Sequence, residues 1–296
     1  MRVRIACTNR LGNRSVNQDR CLINQRTRTT LLAVADGMGG HARGELAAQT
    51  LVDSLNARFE AVRGRLADPA DFLQTGLEHA HLDIVAAGRN ETPPVQPRTV
   101  CVACIVQDAH AWWAHVGDSR LYVIRGSGLL LRTRDHSPLD QLLASGGVAE
   151  SAVRRHPLRN TVNRCLGGGP MPPQPSMGES DLEPEDLILL CSDGLWSSVP
   201  EQRIVETYQG GYIDDAVERL AEEAEKASYP NCDNISLIAL RWLGMPANLS
   251  RTEDPMHDPL DPVEAELRDF PDHDPLKRAI DDIHRALLEY ASELKK

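Results

Sequence analysis

Four aspartates of this sequence stand at the ends of apolar, strand-like runs, and they are Asp36, Asp118, Asp193 and Asp233. In antiparallel sheets the end of one strand lies beside the start of its neighbour, so such carboxylates can share one rim. Crowded carboxylates repel one another, and without a cation some of them must hold a proton at a raised pKa. The pattern therefore predicts an acidic cluster that binds a hard divalent metal ion.

The types of the ligands indicate which metal this cluster prefers. Oxygen ligands without a histidine or thiolate partner favour magnesium or manganese over zinc. Asp36 is followed by Gly37. A glycine lets the backbone approach a ligand closely, so the Gly37 carbonyl can also coordinate the ion. A single Asp-Gly pair is usually an ordinary turn, and only the placement of four acids together favours a site.

Short strands and three helices must hold these acids in place. Strand-like runs cover residues 3–7, 31–35, 100–106, 111–116, 121–124, 187–191 and 235–240. Helical spacing of apolar residues begins at Ala47, at Leu73 and at about Tyr212. Several strands are apolar on consecutive residues, which suits strands covered on both faces. Because strands often follow one another directly, the sequence predicts a layered α+β sandwich with mainly antiparallel sheets.

Length and composition exclude several classes of protein. The chain has 296 residues, 41% hydrophobic and 25% charged, as is usual for a globular domain. No apolar stretch approaches the roughly 18 residues of a membrane-spanning helix. The net charge of −11 argues against a nucleic-acid partner. Seven scattered cysteines favour a reducing compartment, and no apolar export region follows Met1, so we expect a cytoplasmic protein.

Composition divides the chain into three parts. Residues 1–243 form the expected compact domain, and residues 244–273 are rich in proline and acids, which indicates a linker. Residues 274–296 carry apolar residues at alternating steps of four and three, which predicts an amphipathic helix with coiled-coil spacing. Because it has fewer than three full heptads, this helix can fold back on its own domain, pair in a dimer or bind a partner.

A series of short motifs runs along residues 1–243 in a fixed order. The motifs are GNRSVNQD (12–19), ADGMGGH (35–41), GE (44–45), GDSR (117–120), RDHS (134–137), HPLRN (156–160), LG (166–167), CSDGLW (191–196) and DN (233–234). This series resembles the metal-dependent protein phosphatases of type 2C in their bacterial form. The resemblance implies a four-layer α-β-β-α sandwich, in which two antiparallel sheets lie between helix pairs, and this agrees with the periodicity.

The resemblance also implies a role for each acid in holding two ions of magnesium or manganese. Asp36 would bridge the two ions. The carbonyl of Gly37 would bind one of them, and Asp193 and Asp233 would complete the other. Asp19 would hold metal-bound waters.

Two further positions follow from the resemblance. Asp118, together with Asp193, matches positions that bind a third, weaker ion in bacterial relatives. Arg14 matches the arginine that clamps the substrate phosphate. The implied catalytic residues are therefore Arg14, Asp36, Asp193 and Asp233.

The implied activity is hydrolysis of phosphoserine and phosphothreonine on proteins by a water or hydroxide that bridges the metal ions. The substrate would be a phosphorylated protein, and the family implies an opposing serine/threonine kinase. Residues 137–160 would form the family's flap beside the active site. Many eukaryotic relatives have a histidine where this chain has Met38, and methionine cannot donate a proton, so the identity of the general acid stays open.

Two other functions remain as alternatives. One is a catalytically silent module that binds phosphoproteins and has lost the metals. Such a chain should lack one of the metal acids, whereas Asp36, Asp193 and Asp233 are all present. The other is a scaffold or dimer in which the C-terminal helix regulates the phosphatase, and this alternative adds to the phosphatase activity without excluding it.

Overall fold

The structure, a computed structural model, describes residues 1–38, 43–144, 146, 158, 161–209 and 211–245. The strands within these ranges are β1 (Val3–Arg10), β2 (Asp19–Gln25), β3 (Thr29–Gly37), β4 (Arg98–Gln107), β5 (His110–Val116), β6 (Arg120–Arg125), β7 (Gly128–Arg132), β8 (Leu166–Gly167), β9 (Ser176–Asp181), β10 (Leu187–Cys191) and β11 (Ile235–Trp242). The helices are α1 (Gly44–Ala61), α2 (Pro69–Asn90), α3 (Pro138–Ala144), α4 (Asp193–Trp196), α5 (Glu201–Thr207) and α6 (Ile213–Ser228).

The strands form two antiparallel sheets. The first sheet has the order β1, β11, β10, β6 and β7, and the second has the order β2, β3, β4, β5 and β9. The short strand β8 pairs with the start of β4. Strands β1 and β2 are therefore the edge strands of their sheets, and they are consecutive in the chain.

Three apolar clusters hold the layers together. Helices α1 and α2 cover the second sheet through a cluster that includes Leu51 and Ile105. Helices α5 and α6 cover the first sheet through a cluster that includes Leu220 and Leu237. A third cluster, with Ile188 near its centre, fills the space between the sheets. The order helix, sheet, sheet, helix confirms the predicted four-layer α+β sandwich.

Strand β3 shows why the apolar runs are continuous. Its residues alternate between two apolar clusters: Leu31 and Ala33 face the helices α1 and α2, whereas Leu32 and Val34 face the other sheet. All four side chains are fully buried. A strand with both faces buried needs apolar residues at every position, and this is the pattern that the sequence carries.

The predicted helices correspond to α1, α2 and α6, and every predicted strand lies within an observed one. The sequence pattern misses β2, β7, β8 and β9. Three of them, β2, β7 and β9, are edge strands with exposed positions, and β8 has only two residues. Helices α3, α4 and α5 are four to seven residues long, too short for an apolar period to show.

Three predicted segments lie wholly or largely outside the described residues. They are the flap at 137–160, of which only 137–144, 146 and 158 are described, the linker at 244–273, of which only 244–245 are described, and the C-terminal helix at 274–296. Their boundaries and roles stay predictions. Among the described helices, none is long and apolar enough to cross a membrane.

Candidate active site

Five aspartates from the two sheets meet at one end of the sandwich. In the second sheet, Asp36 near the end of β3 lies opposite Asp19 at the start of β2. Asp193 follows β10 and Asp233 precedes β11 in the first sheet, and Asp118 lies in the turn between β5 and β6. The charges of the other four carboxylates all raise the pKa of Asp36, so the fold brings the five together. We call these five residues the carboxylate rim.

Burial and mutual repulsion raise pKa values across the rim. Burial, followed by the charges of Asp19 and Asp193, places the pKa of Asp36 well above its usual value. Burial, followed by the charge of Asp118, has the same effect on the pKa of Asp193. Burial also raises the pKa of Asp118 to about 7 and that of Asp19 to about 6. The rim therefore concentrates more negative charge than its protein surroundings stabilise.

The rim residues differ in how far they reach solvent. Asp19 and Asp118 are buried, whereas Asp36 and Asp193 keep part of their surface open and the Asp233 side chain is 41% exposed. Asp233 is paired with Arg14. Within the described part of the chain, the other four rim aspartates form no ion pair. Asp36 and Asp193 are crowded, form no ion pair and are partly open to solvent, which fits a hard divalent cation.

The rim side chains, in the positions described, do not surround a site for an ion. Among the described residues, no group of three acids, histidines or cysteines is arranged so that it could hold a metal ion. Asp233 instead accepts a hydrogen bond from Arg14, and Asp19 accepts one from Ser192. Metal binding at the rim therefore requires side-chain movement, which is easiest for the exposed pair of Asp233 and Arg14.

Arg14 reaches the rim from the loop between β1 and β2. Its Nη2 donates to Oδ2 of Asp233 at 2.6 Å, and its side chain is 53% exposed. It lines a cavity of about 520 Å³ that is also lined by Asp193, Arg120 and Trp196. An arginine can hold phosphate with two parallel hydrogen bonds, so the cavity offers an anion a basic clamp beside the acidic rim.

Asn234 ties the Arg14 loop to the rim. Its Nδ2 donates to the Leu11 carbonyl at 2.8 Å, and its Oδ1 accepts the Gln18 backbone N–H at 2.9 Å. Its own N–H donates to Oδ1 of Asp233 at 2.8 Å. One amide side chain thus fixes both ends of the loop that carries Arg14.

Ser192 orients Asp19 from the opposite sheet. Its hydroxyl donates to Oδ2 of Asp19 at 2.7 Å and accepts the Ser236 backbone N–H at 3.0 Å, and Ser192 is fully buried. The backbone N–H of Asp19 donates to Oδ1 of Asn17 at 3.0 Å. These bonds hold the buried carboxylate in one position.

Gly37 lies where only a glycine fits. A Cβ at this position would stand 2.4 Å from the Gly44 carbonyl oxygen and 2.8 Å from the Gln18 carbonyl oxygen. The preceding carbonyl, that of Asp36, accepts a hydrogen bond from the Thr99 hydroxyl at 2.8 Å. The backbone beside the rim is therefore packed closely on both sides.

A buried arginine supports the turn that carries Asp118. Arg120 donates from Nε and Nη2 to both carboxylate oxygens of Asp135, at 2.8 and 2.7 Å. Its guanidinium lies over the Trp196 ring, 3.6 Å from the ring centre. Trp196 in turn donates from Nε1 to the Asp118 carbonyl at 2.9 Å. Three of the short sequence motifs therefore meet in one packed unit beneath the rim.

The predicted site residues Arg14, Asp19, Asp36, Gly37, Asp118, Asp193 and Asp233 all lie at or beside the rim. The residues that position them are Ser192, Asn234, Asn17 and Thr99. The first three lie within the motifs CSDGLW, DN and GNRSVNQD, and this is the sequence signal that could have found them, whereas Thr99 lies in none of the motifs.

Residues 8–229 match the sequence model described as Protein phosphatase 2C. The chain belongs to the protein phosphatase 2C family. This confirms the family that the motifs indicate, and with it the predicted enzyme class, a protein phosphatase. Phosphatases of type 2C depend on metal ions, which agrees with the chemistry of the carboxylate rim.

Relatives and solved structures of the type 2C family extend this result. Serine/threonine phosphatase stp from Listeria monocytogenes is 31% identical over 220 residues, which are 70% of this chain and 82% of that protein. The S. agalactiae serine/threonine phosphatase has a TM-score of 0.74 and 26% identity, covering 82% of this chain and 100% of that one. The catalytic domain of phosphatase PstP, solved with two manganese ions, has a TM-score of 0.70 and 27% identity, covering 81% of this chain and 98% of that one.

Proposed function

We propose that this type 2C phosphatase hydrolyses phosphoserine and phosphothreonine on proteins and that a binuclear magnesium or manganese site does so at the carboxylate rim. The observation that carries the proposal is the rim itself: crowded aspartates with raised pKa values, most of them without a basic partner, next to a cavity that Arg14 lines. The names of the bacterial relatives support the choice of substrate.

The residues would divide the ions between them as the motifs suggest. Asp36 would be shared by both ions, with the Gly37 carbonyl on one and Asp193 and Asp233 on the other. Asp19, already fixed by Ser192, would orient water near the ions. A third ion would bind Asp193 and Asp118. A related structure solved with two manganese ions supports the count of two.

Divalent ions, when bound, lower the pKa of water and neutralise phosphate charge, which removes the main obstacles to hydrolysis of a phosphate monoester. The chain itself supplies position. If Asp233 turned towards a cation, the Arg14 guanidinium would lose its partner and could contact two phosphate oxygens. Lysine at this position would offer a single point charge in place of the planar fork.

The test is phosphate release from a phosphothreonine peptide, measured with millimolar manganese, with chelator, and with Asp193→Asn. The matched control is Asp181→Asn, because Asp181 is an exposed aspartate on β9 whose side chain pairs with His110. We expect manganese-dependent turnover that chelator and Asp193→Asn abolish and that Asp181→Asn retains. Folded protein without turnover under any divalent metal would contradict the proposal and favour the silent phosphoprotein-binding module.

We further propose that the enzyme works in the cytoplasm and opposes a serine/threonine kinase there. All seven cysteines are free, which suits a reducing compartment. Cells that lack the protein should accumulate phosphothreonine and phosphoserine on its substrates, measured by phosphoproteomics of the cytoplasmic fraction. An unchanged phosphoproteome would contradict this placement.

The C-terminal helix predicted at 274–296 keeps its three proposed roles, which are docking on its own domain, dimerisation and partner binding. Comparing the full chain with a chain that ends at Leu243 would distinguish them. A lower oligomeric mass indicates dimerisation, and changed activity at constant mass indicates docking. Unchanged mass and activity would leave partner binding as the remaining role and exclude the other two.

A further inference from the structure

Two cysteines face each other across the gap between the two sheets. Cys7 lies in β1, the edge strand of the first sheet, and Cys21 lies in β2, the edge strand of the second. Each thiol shifts the pKa of the other, so the two lie close together. Cys21 packs against the cluster between the sheets, as do Val3 and Ile5, which share the face of β1 that carries Cys7. Cys7 is exposed and Cys21 is half-buried, so a small reagent in solvent can reach the pair.

A contact between β1 and β2 explains why the two thiols lie close together. Asn9 in β1 donates from Nδ2 to the Asp19 carbonyl in β2 at 3.3 Å, which links the two edge strands. Side chains that are two residues apart on a strand share a face. Cys7 lies two residues before Asn9 in β1, and Cys21 lies two residues after Asp19 in β2. The two cysteines therefore lie on neighbouring strands, each two residues from the contact between Asn9 and Asp19.

The other cysteines lack both a facing thiol and this exposure. Cys101, Cys104, Cys191 and Cys232 are buried, and Cys165 is half-buried. Burial raises the pKa of Cys101 and Cys191 to about 12 and also raises the pKa of Cys104 and Cys165. The neighbouring Cys21 thiol instead lowers the pKa of Cys7, which increases the fraction of reactive thiolate.

We propose that Cys7 and Cys21 form an oxidation site that hydrogen peroxide converts to a disulfide joining the edges of the two sheets. In the first step the Cys7 thiolate attacks one peroxide oxygen, the O–O bond breaks, and Cys7 becomes a sulfenic acid as hydroxide leaves and takes up a proton. In the second step the Cys21 sulfur attacks the Cys7 sulfur, the S–O bond breaks, and a second water leaves. Two thiols and one peroxide thus give one disulfide and two waters.

The site lies next to the carboxylate rim. Cys21 is two residues from Asp19 on β2, so the two side chains lie on the same face of the strand. A disulfide has an S–S bond of about 2 Å, shorter than any contact between two thiols. Closing it draws β2 towards β1 beside Asp19. We therefore expect oxidation to lower the manganese-dependent phosphatase rate severalfold, an effect that rests on the proposed function.

The experiment treats the reduced full-length protein with hydrogen peroxide, blocks the remaining thiols with N-ethylmaleimide and maps the peptides by mass spectrometry. We expect a cross-linked peptide pair that contains Cys7 and Cys21, lighter by two hydrogen atoms than the reduced peptides and separated again by dithiothreitol. Cys165→Ser, the matched control for a cysteine outside the buried core, should form the same cross-link. Cys7→Ser should leave Cys21 available to N-ethylmaleimide.

Two results of the mapping would overturn the oxidation site: Cys7 that ends as sulfinic acid while Cys21 stays reduced, or both thiols unchanged under peroxide that oxidises free cysteine. The rate is then measured before oxidation, after it, and after dithiothreitol. A reversible severalfold loss in the wild type, absent in Cys7→Ser, confirms the link to the rim. A cross-link that forms without changing the rate overturns that link and leaves the oxidation site standing. Because the mapping needs no turnover, it separates failure of this inference from failure of the proposed function.

Discussion

Strand β10 begins beside one aspartate and ends beside another, and the protein surrounds the two differently. Asp186, before the strand, is 1% exposed and accepts hydrogen bonds from Arg125 at 2.9 and 2.7 Å. It also accepts the Glu183 backbone N–H at 2.8 Å. Asp193, after the strand, forms no ion pair among the described residues, and the charges that raise its pKa are those of Asp118, Asp233 and Asp19. A buried charge is stable only when it is paired, so the first end of the strand serves stability and the second is prepared for a cation.

The same contrast holds across the second sheet. Asp108, in the turn between β4 and β5, pairs with Arg28 at 2.6 Å and with Arg65 at 2.5 Å. Asp36, at the opposite end of the neighbouring strand, has no such partner among the described residues. One end of the sandwich therefore neutralises its acids with arginine, whereas the other end gathers acids and leaves most of them unpaired.

Removing the carboxylate of Asp193 should give the largest effect on activity. We expect Asp193→Asn to lower kcat/KM by more than about 100-fold, since even residues that only support a metal ligand contribute about 10- to 100-fold. Stability in chelator should stay the same or rise, because the variant relieves repulsion within the rim. Steady-state kinetics with manganese and thermal unfolding of the metal-free protein measure the two quantities. A variant that keeps its activity but unfolds at lower temperature would show that Asp193 stabilises the fold and does not bind a metal ion.

The pH dependence of stability should expose the unpaired charge of the rim. Burial raises the pKa of Asp118 from 3.8 to about 7, so between these values the folded protein holds a proton that the unfolded chain has released. The metal-free wild type should therefore lose stability relative to Asp118→Asn as pH rises through this window, on the order of 4 kcal/mol in total. Denaturant unfolding of both proteins in chelator, from pH 4 to pH 8, measures the difference.

The comparison with Asp118→Asn removes the opposing contribution that two histidines make to the pH dependence of stability. His115 and His136 have pKa values lowered to about 4, mainly by burial, so the stability that they contribute increases with pH. Both histidines are present in both proteins and cancel in the difference. If the difference in stability between the two proteins does not change from pH 4 to pH 8, Asp118 is ionised throughout this range. The contrast between the two ends of the sandwich would then not hold for Asp118.

Substitutions of Arg14 test the contact with the substrate phosphate at the acidic end of the sandwich. Hydrogen bonds to charged groups contribute about 1.5–3 kcal/mol, so Arg14→Ala should lower kcat/KM by about 10- to 100-fold. Arg14→Lys should recover only part of this loss, because it cannot make two parallel hydrogen bonds. Kinetics with a phosphothreonine peptide test both variants. Full activity in Arg14→Lys would rule out the bidentate contact.

At the other end of β10 the expected effect is on stability alone. Asp186→Asn weakens both bonds from Arg125, and we expect it to lower the free energy of unfolding by about 1–3 kcal/mol. Activity per folded molecule should stay at the wild-type level. Urea unfolding and kinetics on the same preparation give both numbers. A loss of activity without a loss of stability would remove the distinction between the two ends of the strand.

The sequence is enough to predict the acids of the rim because of where they stand. Asp36 and Asp193 each close an apolar run, and a strand end is visible in a local pattern. The sandwich is predictable for the same reason, since strands buried on both faces are apolar throughout. The helices α1, α2 and α6 are long enough for their apolar period to appear.

The supporting contacts could not be predicted because they join distant parts of the chain. Ser192 and Asp19 are 173 residues apart, and Arg14 and Asp233 are 219 residues apart. Their meeting depends on which strands become neighbours, and no local spacing encodes that choice. The facing of Cys7 and Cys21 likewise follows from two edge strands, one of which has no clear apolar pattern.

Anomalous X-ray diffraction from crystals grown with manganese would show whether the unpaired carboxylate rim binds the metal ions. We expect two strong anomalous peaks beside Asp36, one near the Gly37 carbonyl and one near Asp193 and Asp233. Full occupancy at the rim with no peak near Asp186 or Asp108 would match the contrast between the two ends. Manganese peaks elsewhere on the protein, with none at the rim, would contradict the account.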